Sequence, residues 1–277
     1  MKKSYNLLTV EDRQNIIDTY YNKAEMSFTE MSDLLQVSER SFARVLKENN
    51  INTSLKNRYT LNENYFDKID SECKAYFLGF LFADGFVGNE KFNNVVLSIQ
   101  EKDKVILDVF KKELNFTGNI RIGKSSSSYK KTSCQYIINF SSEHMAKTLR
   151  AYGLTKNRKE IIKDIPLCVP KNLIHHFIRG YFDGDGSVTK YNKKCNVKLA
   201  NGSIKTYSYE KIKVDLICNK DFGENILKHI GINSFHFSKS KCNLYYLSIQ
   251  ADKEVEIYKN YIYNNATIFL KRKYDKF

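Results

Sequence analysis

Two aspartates, Asp84 and Asp185, each close an apolar run and each precede a glycine: Tyr76-Phe77-Leu78-Gly79-Phe80-Leu81-Phe82-Ala83-Asp84-Gly85 and Phe177-Ile178-Arg179-Gly180-Tyr181-Phe182-Asp183-Gly184-Asp185-Gly186. A carboxylate at the C-terminal end of a helix is poorly placed, because the helix dipole is already negative there. Two such carboxylates brought together need a cation. The elements that would bring them together are legible in the same residues. Gly79 and Ala83, like Gly180 and Gly184, stand four apart and so share one helix face on which another backbone can approach closely. The remaining positions are large and apolar, so each stretch reads as a buried helix. Gly85 and Gly186 stand where a left-handed cap is easiest. If the small faces pack, the acids meet at the ends of the pair.

With these residues in view, the chain resembles the LAGLIDADG homing endonucleases in their single-chain, two-motif form. Residues 77–85 match the first motif and residues 178–186 the second, and the family's metal-binding acids fall on Asp84 and Asp185. The resemblance covers about residues 65 to 277. One departure is Phe82, where the family often carries an acid and the second copy has Asp183, which reads as structural.

The resemblance implies an α/β (α+β) fold of two pseudo-symmetric αββαββα halves forming a saddle on duplex DNA. It also implies a site-specific double-strand cut leaving short 3′ overhangs. Intron RNA splicing by a maturase, or transcriptional regulation on the same scaffold, is the alternative. Hydrolysis of a phosphodiester requires charge neutralisation, a prepared water and a stabilised leaving oxygen, all of which divalent ions supply. Asp84 and Asp185 offer the hard oxygens that suit Mg²⁺. Family members further carry a basic residue near the end of each repeat. By position these are Lys159 and Lys273, with Lys156 and Lys271 as rivals, and a role as phosphate anchors outside the pocket stands beside the catalytic one.

Composition agrees with a polyanionic partner. Lys and Arg total 45 against 31 acids, a formal net charge of +14. The six cysteines include no CxxC pair, so neither a zinc ribbon nor a disulfide framework is suggested. The apolar run 75–83 is too short to span a bilayer, and the N-terminus leads into a polar helix, so a soluble, cytoplasmic, free-standing monomer is expected.

In chain order, Thr9-Val10-Glu11-Asp12 reads as a capping box opening a helix with Ile16, Ile17 and Tyr20 inward. Residues 28–49 resemble a helix-turn-helix, with Met31, Leu35, Val37, Phe42 and Leu46 as its core, Gln36 in the turn where Gly is preferred, and Ser38 capping the next helix. Arg40, Ser41, Arg44 and Lys47 are expected to face outwards, towards DNA. The domains so read are a helix-turn-helix at 1–51, a basic linker at 52–64, and halves at 65–165 and 166–277. A helix from Asp103 to Leu114 is expected to turn Val105, Ile106, Val109 and Phe110 inward. Strand residues suited to base reading are Asn94, Ser98 and Gln100, then Arg121 and Lys124 ahead of a Ser125-Ser126-Ser127-Ser128 tip, then Lys194, Asn196 and Lys198 with Lys211 and Lys213 in the partner strand. Asn201-Gly202 signals a tight turn in a hairpin longer than its first-half counterpart.

Overall fold

The computed structural model describes residues 2–23, 26–53, 59–125, 133–156, 158–240 and 244–277. Three short helices come first: α1 (Val10–Asn22), α2 (Phe28–Leu34) and α3 (Glu39–Glu48). The next elements are α4 (Glu72–Asp84), β1 (Gly85–Val87), β2 (Asn94–Gln100), α5 (Lys104–Glu113), β3 (Arg121–Ser125), β4 (Ser133–Ser141) and α6 (Glu143–Ala151), trailed by a one-turn α7 (Arg158–Ile161). The same order then repeats as α8 (Ile174–Asp185), β5 (Gly186–Lys198), β6 (Ile204–Cys218), α9 (Lys220–Ile230), β7 (His236–Lys239), β8 (Tyr245–Ile249) and α10 (Asp252–Ile262), with a one-turn α11 (Lys271–Tyr274). The repeated αββαββα order and the α/β class are as expected.

The chain folds into two compact units, each drawn from two segments. The first comprises Met1–Asn64 and Phe92–His144, the second Tyr65–Lys91 and Met145–Phe277. In the first unit, Thr9 accepts from the Asp12 amide while Asp12 accepts from the Thr9 amide, and Ser27 and Glu30 repeat the exchange on α2, so both helices begin on capping boxes. Ser38 accepts from the Ser41 amide at the start of α3. Ile16, Tyr20, Met31, Val37, Phe42, Val45 and Leu46 form a small core of their own. Gln36 adopts φ 54°, the left-handed conformation that the turn between α2 and α3 demands.

Ser41 does not face outwards as expected. It is buried, its hydroxyl 2.6 Å from that of Ser38, because it occupies the first turn on the core side of α3. Arg40, Arg44 and Lys47 are exposed. Arg44 donates to Glu48 and its guanidinium lies 3.8 Å from the centre of the Tyr5 ring.

The first unit also holds the ladder β2-β4-β3, antiparallel throughout. Val95, Leu97 and Ile99 are buried, which leaves Asn94, Ser98 and Gln100 on the opposite face as expected. Register puts Arg121 there too, since Arg121 and Ser98 both pair with Ile137, and Ser98 donates to Gln135 on that face. The side chain of Lys124 lies outside the described residues, as do residues 126–128. Val105 is exposed, contrary to expectation. The inward stripe of α5 runs through Ile106, Leu107 and Phe110, and Val105 falls a hundred degrees outside it.

In the second unit the strands order β5-β6-β8-β7. Helices α4 and α8 cross at their glycines, and the approach is tight. A methyl group at Gly79 would overlap the carbonyl oxygen of Phe177, one at Gly180 would overlap that of Tyr76, and one at Gly184 would meet the methyl of Ala83. Backbone lies against backbone where the spacing of small residues placed it. Polar ties lock the pair. Buried Arg179 donates to Glu72 (2.6 Å), to the Ile268 and Ile262 carbonyls (2.8 Å each), and pairs with His176 Nδ1 (2.8 Å). Tyr76 donates to Asp183 (2.8 Å), which also accepts from the Leu270 amide. Asp183 is thus structural, as its burial requires.

Candidate active site

Helices α4 and α8 end without the left-handed caps that their glycines suggest. Gly85 has φ −73° and ψ 164°, and Gly186 has φ −92° and ψ 164°, both extended. Glycine is required there for space, since a side chain at Gly85 would run into the Leu81 carbonyl and one at Gly186 into Phe182. The chain passes directly from helix into strand, and Asp84 and Asp185 stand at the two junctions.

Helix ends leave carbonyls without intrahelical donors. Two buried cations satisfy them. Arg158, the first residue of α7, donates to the carbonyls of Phe82 (2.7 Å), Ala83 (3.0 Å) and Gly85. Lys273, in α11, donates to those of Phe182 (2.7 Å), Asp183 (2.7 Å) and Gly186 (2.6 Å). These two are counterparts, each repeat sending one cation from its trailing helix back to the end of its motif helix. Lys273 is therefore a clamp on α8, with its ammonium spent on three carbonyls, and is not free to serve Asp84 or a water as expected. Arg158 was missed. The signal that could have found it is the repeat itself, a cation just after the third helix of each half.

Lys159 goes elsewhere. Its Nζ donates to Asp185 Oδ1 at 2.7 Å and lies as close to Oδ2. The corresponding place after Lys273 is Tyr274, so the second repeat has no equivalent. Among the described residues Asp84 has no hydrogen-bond or ion-pair partner of this kind, and its side chain reaches solvent.

The two acids sense each other. A methyl built on Gly184, next to Asp185, would lie 3.4 Å from Asp84 Oδ2. Burial pushes the Asp185 carboxyl up to about 6; Lys159 pulls it back and the Asp84 charge pushes it further. Surrounding protein raises Asp84 too, against the pull of Lys159, Lys273 and Arg158. Asp185 Oδ2 is buried, and the Lys159 ammonium lies 2.7 Å from it without making a well-formed hydrogen bond. Two neighbouring carboxylates, with Asp84 open to solvent, offer the hard oxygens that fit a divalent cation. Among the described residues no third His, Cys, Asp or Glu joins them, so such an ion would keep coordination sites for water and phosphate oxygens.

The matched segment begins two residues before α8 and ends one residue after α10. Residues 172–263 match the family model of the LAGLIDADG-like domain. A further relative is an uncharacterized protein of Methanocaldococcus jannaschii, 29% identical over 173 residues, 57% of this chain and 60% of the relative. The chain thus spans less than two thirds of that relative's length. Among solved structures, the I-SmaMI LAGLIDADG homing endonuclease bound to cleaved DNA is 15% identical, with a TM-score of 0.48 over 76% of this chain and 87% of that one. The LAGLIDADG meganuclease I-AabMI bound to uncleaved DNA is 14% identical, with a TM-score of 0.47 over 73% and 86%.

Within the matched segment, strand register corrects one expectation. Val188, Val214 and Leu216 face the core. Directly opposed residues share a face, and β5 pairs with β6 without a bulge from Gly186↔Leu216 to Lys198↔Ile204. Lys194, Asn196 and Lys198 therefore lie on the core-side face of the ladder, while Lys211 and Lys213 lie on the other. Their true companions on the open face are Tyr191, Lys193, Lys205, Tyr207 and Tyr209, which alternation alone could not assign. Asn201-Gly202 makes the expected turn, with Gly202 at φ 81° and Asn201 accepting from the Ser203 amide.

Proposed function

We propose that this protein is a metal-dependent, site-specific DNA endonuclease of the LAGLIDADG homing type, cutting both strands of a long, partly asymmetric site and leaving short 3′ overhangs. The observation that carries the reading is the pair Asp84 and Asp185, held together at the ends of two helices in glycine contact, with Asp84 open to solvent. The LAGLIDADG-like match over residues 172–263 and the net charge of +14 support it.

Each residue has a distinct task in this reading. Asp84 and Asp185 would hold Mg²⁺, and once bound the ion would supply charge neutralisation at the scissile phosphate and lower the pKa of a water. Lys159 keeps Asp185 ionised and oriented until phosphate arrives, and its ammonium then lies within reach of the departing charge. Arg158 and Lys273 hold the helix ends, so that the carboxylates project from fixed backbone.

The polar face bearing Asn94, Ser98, Gln100 and Arg121 offers the side chains that read base edges. Residues 1–51 would add a second DNA contact through Arg40 and Lys47 on exposed positions of α3. No helix among the described residues is long and apolar enough to cross a membrane.

The test is selection of cleaved sites from a randomised plasmid library in Mg²⁺ and in EDTA. Recovery of one long site cut only with metal is expected. A library left intact under both conditions would overturn the reading.

A further inference from the structure

The open face of the second sheet is lined with cations and hydroxyls, yet it carries an acid. Val188, Val214, Leu216, Leu247 and Ile249 are buried, so the residues that alternate with them turn to the other side. Register lays four of these in a row across the sheet: Ser187 of β5 opposes Asp215 of β6, Asp215 opposes Ser248 of β8, and Ser248 opposes His236 of β7. Among the described residues of these four strands Asp215 is the one carboxylate on that face, since Glu210 pairs with Asn192 on the core side. On the open face of the first repeat, Asn94, Ser98, Gln100 and Arg121 are neutral or basic.

An acid repels phosphate, so a face that binds a polyanion gains from one only where a donor meets it. Asp215 is not a metal ligand with Asp84 and Asp185, which no third acid joins among the described residues. Nor is it loose. The Ser248 hydroxyl donates to its Oδ1, and Lys213, two residues away on the same face of β6, puts its Nζ 2.9 Å from Oδ2. An acceptor and a donor are thereby fixed side by side, with 16% of the aspartate side chain and 34% of the lysine side chain still exposed. The carboxylate keeps lone pairs for a further donor, and the ammonium keeps protons for further acceptors.

A base pair presents the complementary pattern in the major groove. In C·G the cytosine N4 donor lies next to the guanine O6 acceptor, with N7 as a second acceptor beyond it. In A·T the N6 donor is flanked by adenine N7, an acceptor that meets a carboxylate unfavourably, and thymine offers the ammonium O4 alone. Resting on the nuclease reading above, we infer that Asp215 and Lys213 together read one C·G base pair of the target, Asp215 accepting from cytosine N4 and Lys213 donating to guanine O6 and N7. That base pair lies near the cut. Ser187, opposite Asp215, is two residues beyond Asp185, about 7 Å along a strand or about two base pairs of duplex. Ser248 holds the carboxylate in place and so acts as a positioning residue.

The test sequences what the full chain retains from a library of randomised duplexes of about 30 base pairs, with Ca²⁺ in place of Mg²⁺. The wild type should favour C at one position by about tenfold or more. Asp215→Asn should move that same position from C towards A, because an asparagine amide pairs with adenine N6 and N7. Asp215→Ala and Lys213→Ala should leave the four bases there nearly equal and the other positions as in the wild type. Asp215→Ala should also bind unrelated duplex more tightly, since it removes a negative charge from the face. Lys194→Ala, on the core side of β5, should leave the position at C. Melting temperatures verify that each variant is folded, and Asp215→Asn, which keeps the shape of the side chain, carries the test should Asp215→Ala fail to fold. Base frequencies unchanged in Asp215→Asn and Lys213→Ala, or a uniform loss of affinity with no position altered, would mean that the two side chains only brace each other, and would overturn the inference while the nuclease reading stands. A wild-type preference for A at the altered position would overturn the choice of C·G. A wild-type chain that retains no duplex would overturn the nuclease reading itself.

Discussion

Lys159 sits astride the carboxylate of Asp185, its Nζ 2.7 Å from each oxygen, while Asp84 on the neighbouring helix end has no such partner. The two halves of the site are alike in backbone and unlike in charge. Removing the lysine exposes the difference. In Lys159→Met the pull that lowers the Asp185 carboxyl is lost, so the acid limb of metal-dependent cleavage moves upward from about pH 6. A pH–rate profile of the variant checks this, and a limb that stays in place or moves down argues against the pairing.

The raised Asp185 carboxyl has a consequence for stability, and its sign is fixed. Because the folded state holds the proton up to about pH 6 against a reference of 3.8, the folded state binds more protons than the unfolded chain across that window. Stability without metal therefore falls as pH rises from about 4 to 6. A divalent ion needs the ionised form, so Mg²⁺ should raise the melting temperature at pH 7.5 and cease to do so below about pH 6. Thermal melts with Mg²⁺ or EDTA at several pH values measure both effects.

Lys273 and Arg158 are expected to behave as structural clamps. Lys273→Met removes the ammonium from three carbonyls, of which Phe182 keeps the Gly186 amide as a donor, at about 1–3 kcal/mol for a buried group left unsatisfied, and should lower the denaturation midpoint more than Lys159→Met does. Arg158→Met should do likewise through Phe82, Ala83 and Gly85. Equal stability of Lys159→Met and Lys273→Met in urea melts would show that the carbonyl clamp carries no weight.

The glycine crossing sets the separation of the acids. Gly180→Ala forces a methyl onto the Tyr76 carbonyl, and since backbone on both sides must move, a loss of about 1–3 kcal/mol is expected, with cleavage falling further than stability does. Denaturation and cleavage measured on the same preparation separate the two. Wild-type stability in this variant would contradict the close approach.

Much of this site could be read in the chain because a helix imposes its geometry on sequence. Small residues four apart at Gly79 and Ala83 and at Gly180 and Gly184 can only share a face, and acids next in line must end where those faces end. The repeated αββαββα order followed from the same duplication. Strand faces were not legible, because period-two alternation leaves open which phase meets the core. Lys194 and Lys211 look alike as letters and lie on opposite sides. Basic clusters hid their own roles too. In Arg158-Lys159 one cation turns back to a helix end and its neighbour reaches a carboxylate, a division that depends on the path of a single turn. Ser41 was misplaced for a similar reason, its first-turn position lying against the core of α3.

The central claim is that Asp84 and Asp185 act together on one cation-assisted cut. It is tested most directly by converting each to asparagine, which keeps shape and removes charge, and following both strands of a cleavable plasmid in Mg²⁺. Asp84→Asn and Asp185→Asn should each lose linearisation while DNA affinity stays near that of the wild type. Linear product formed at the wild-type rate by either variant would contradict the account.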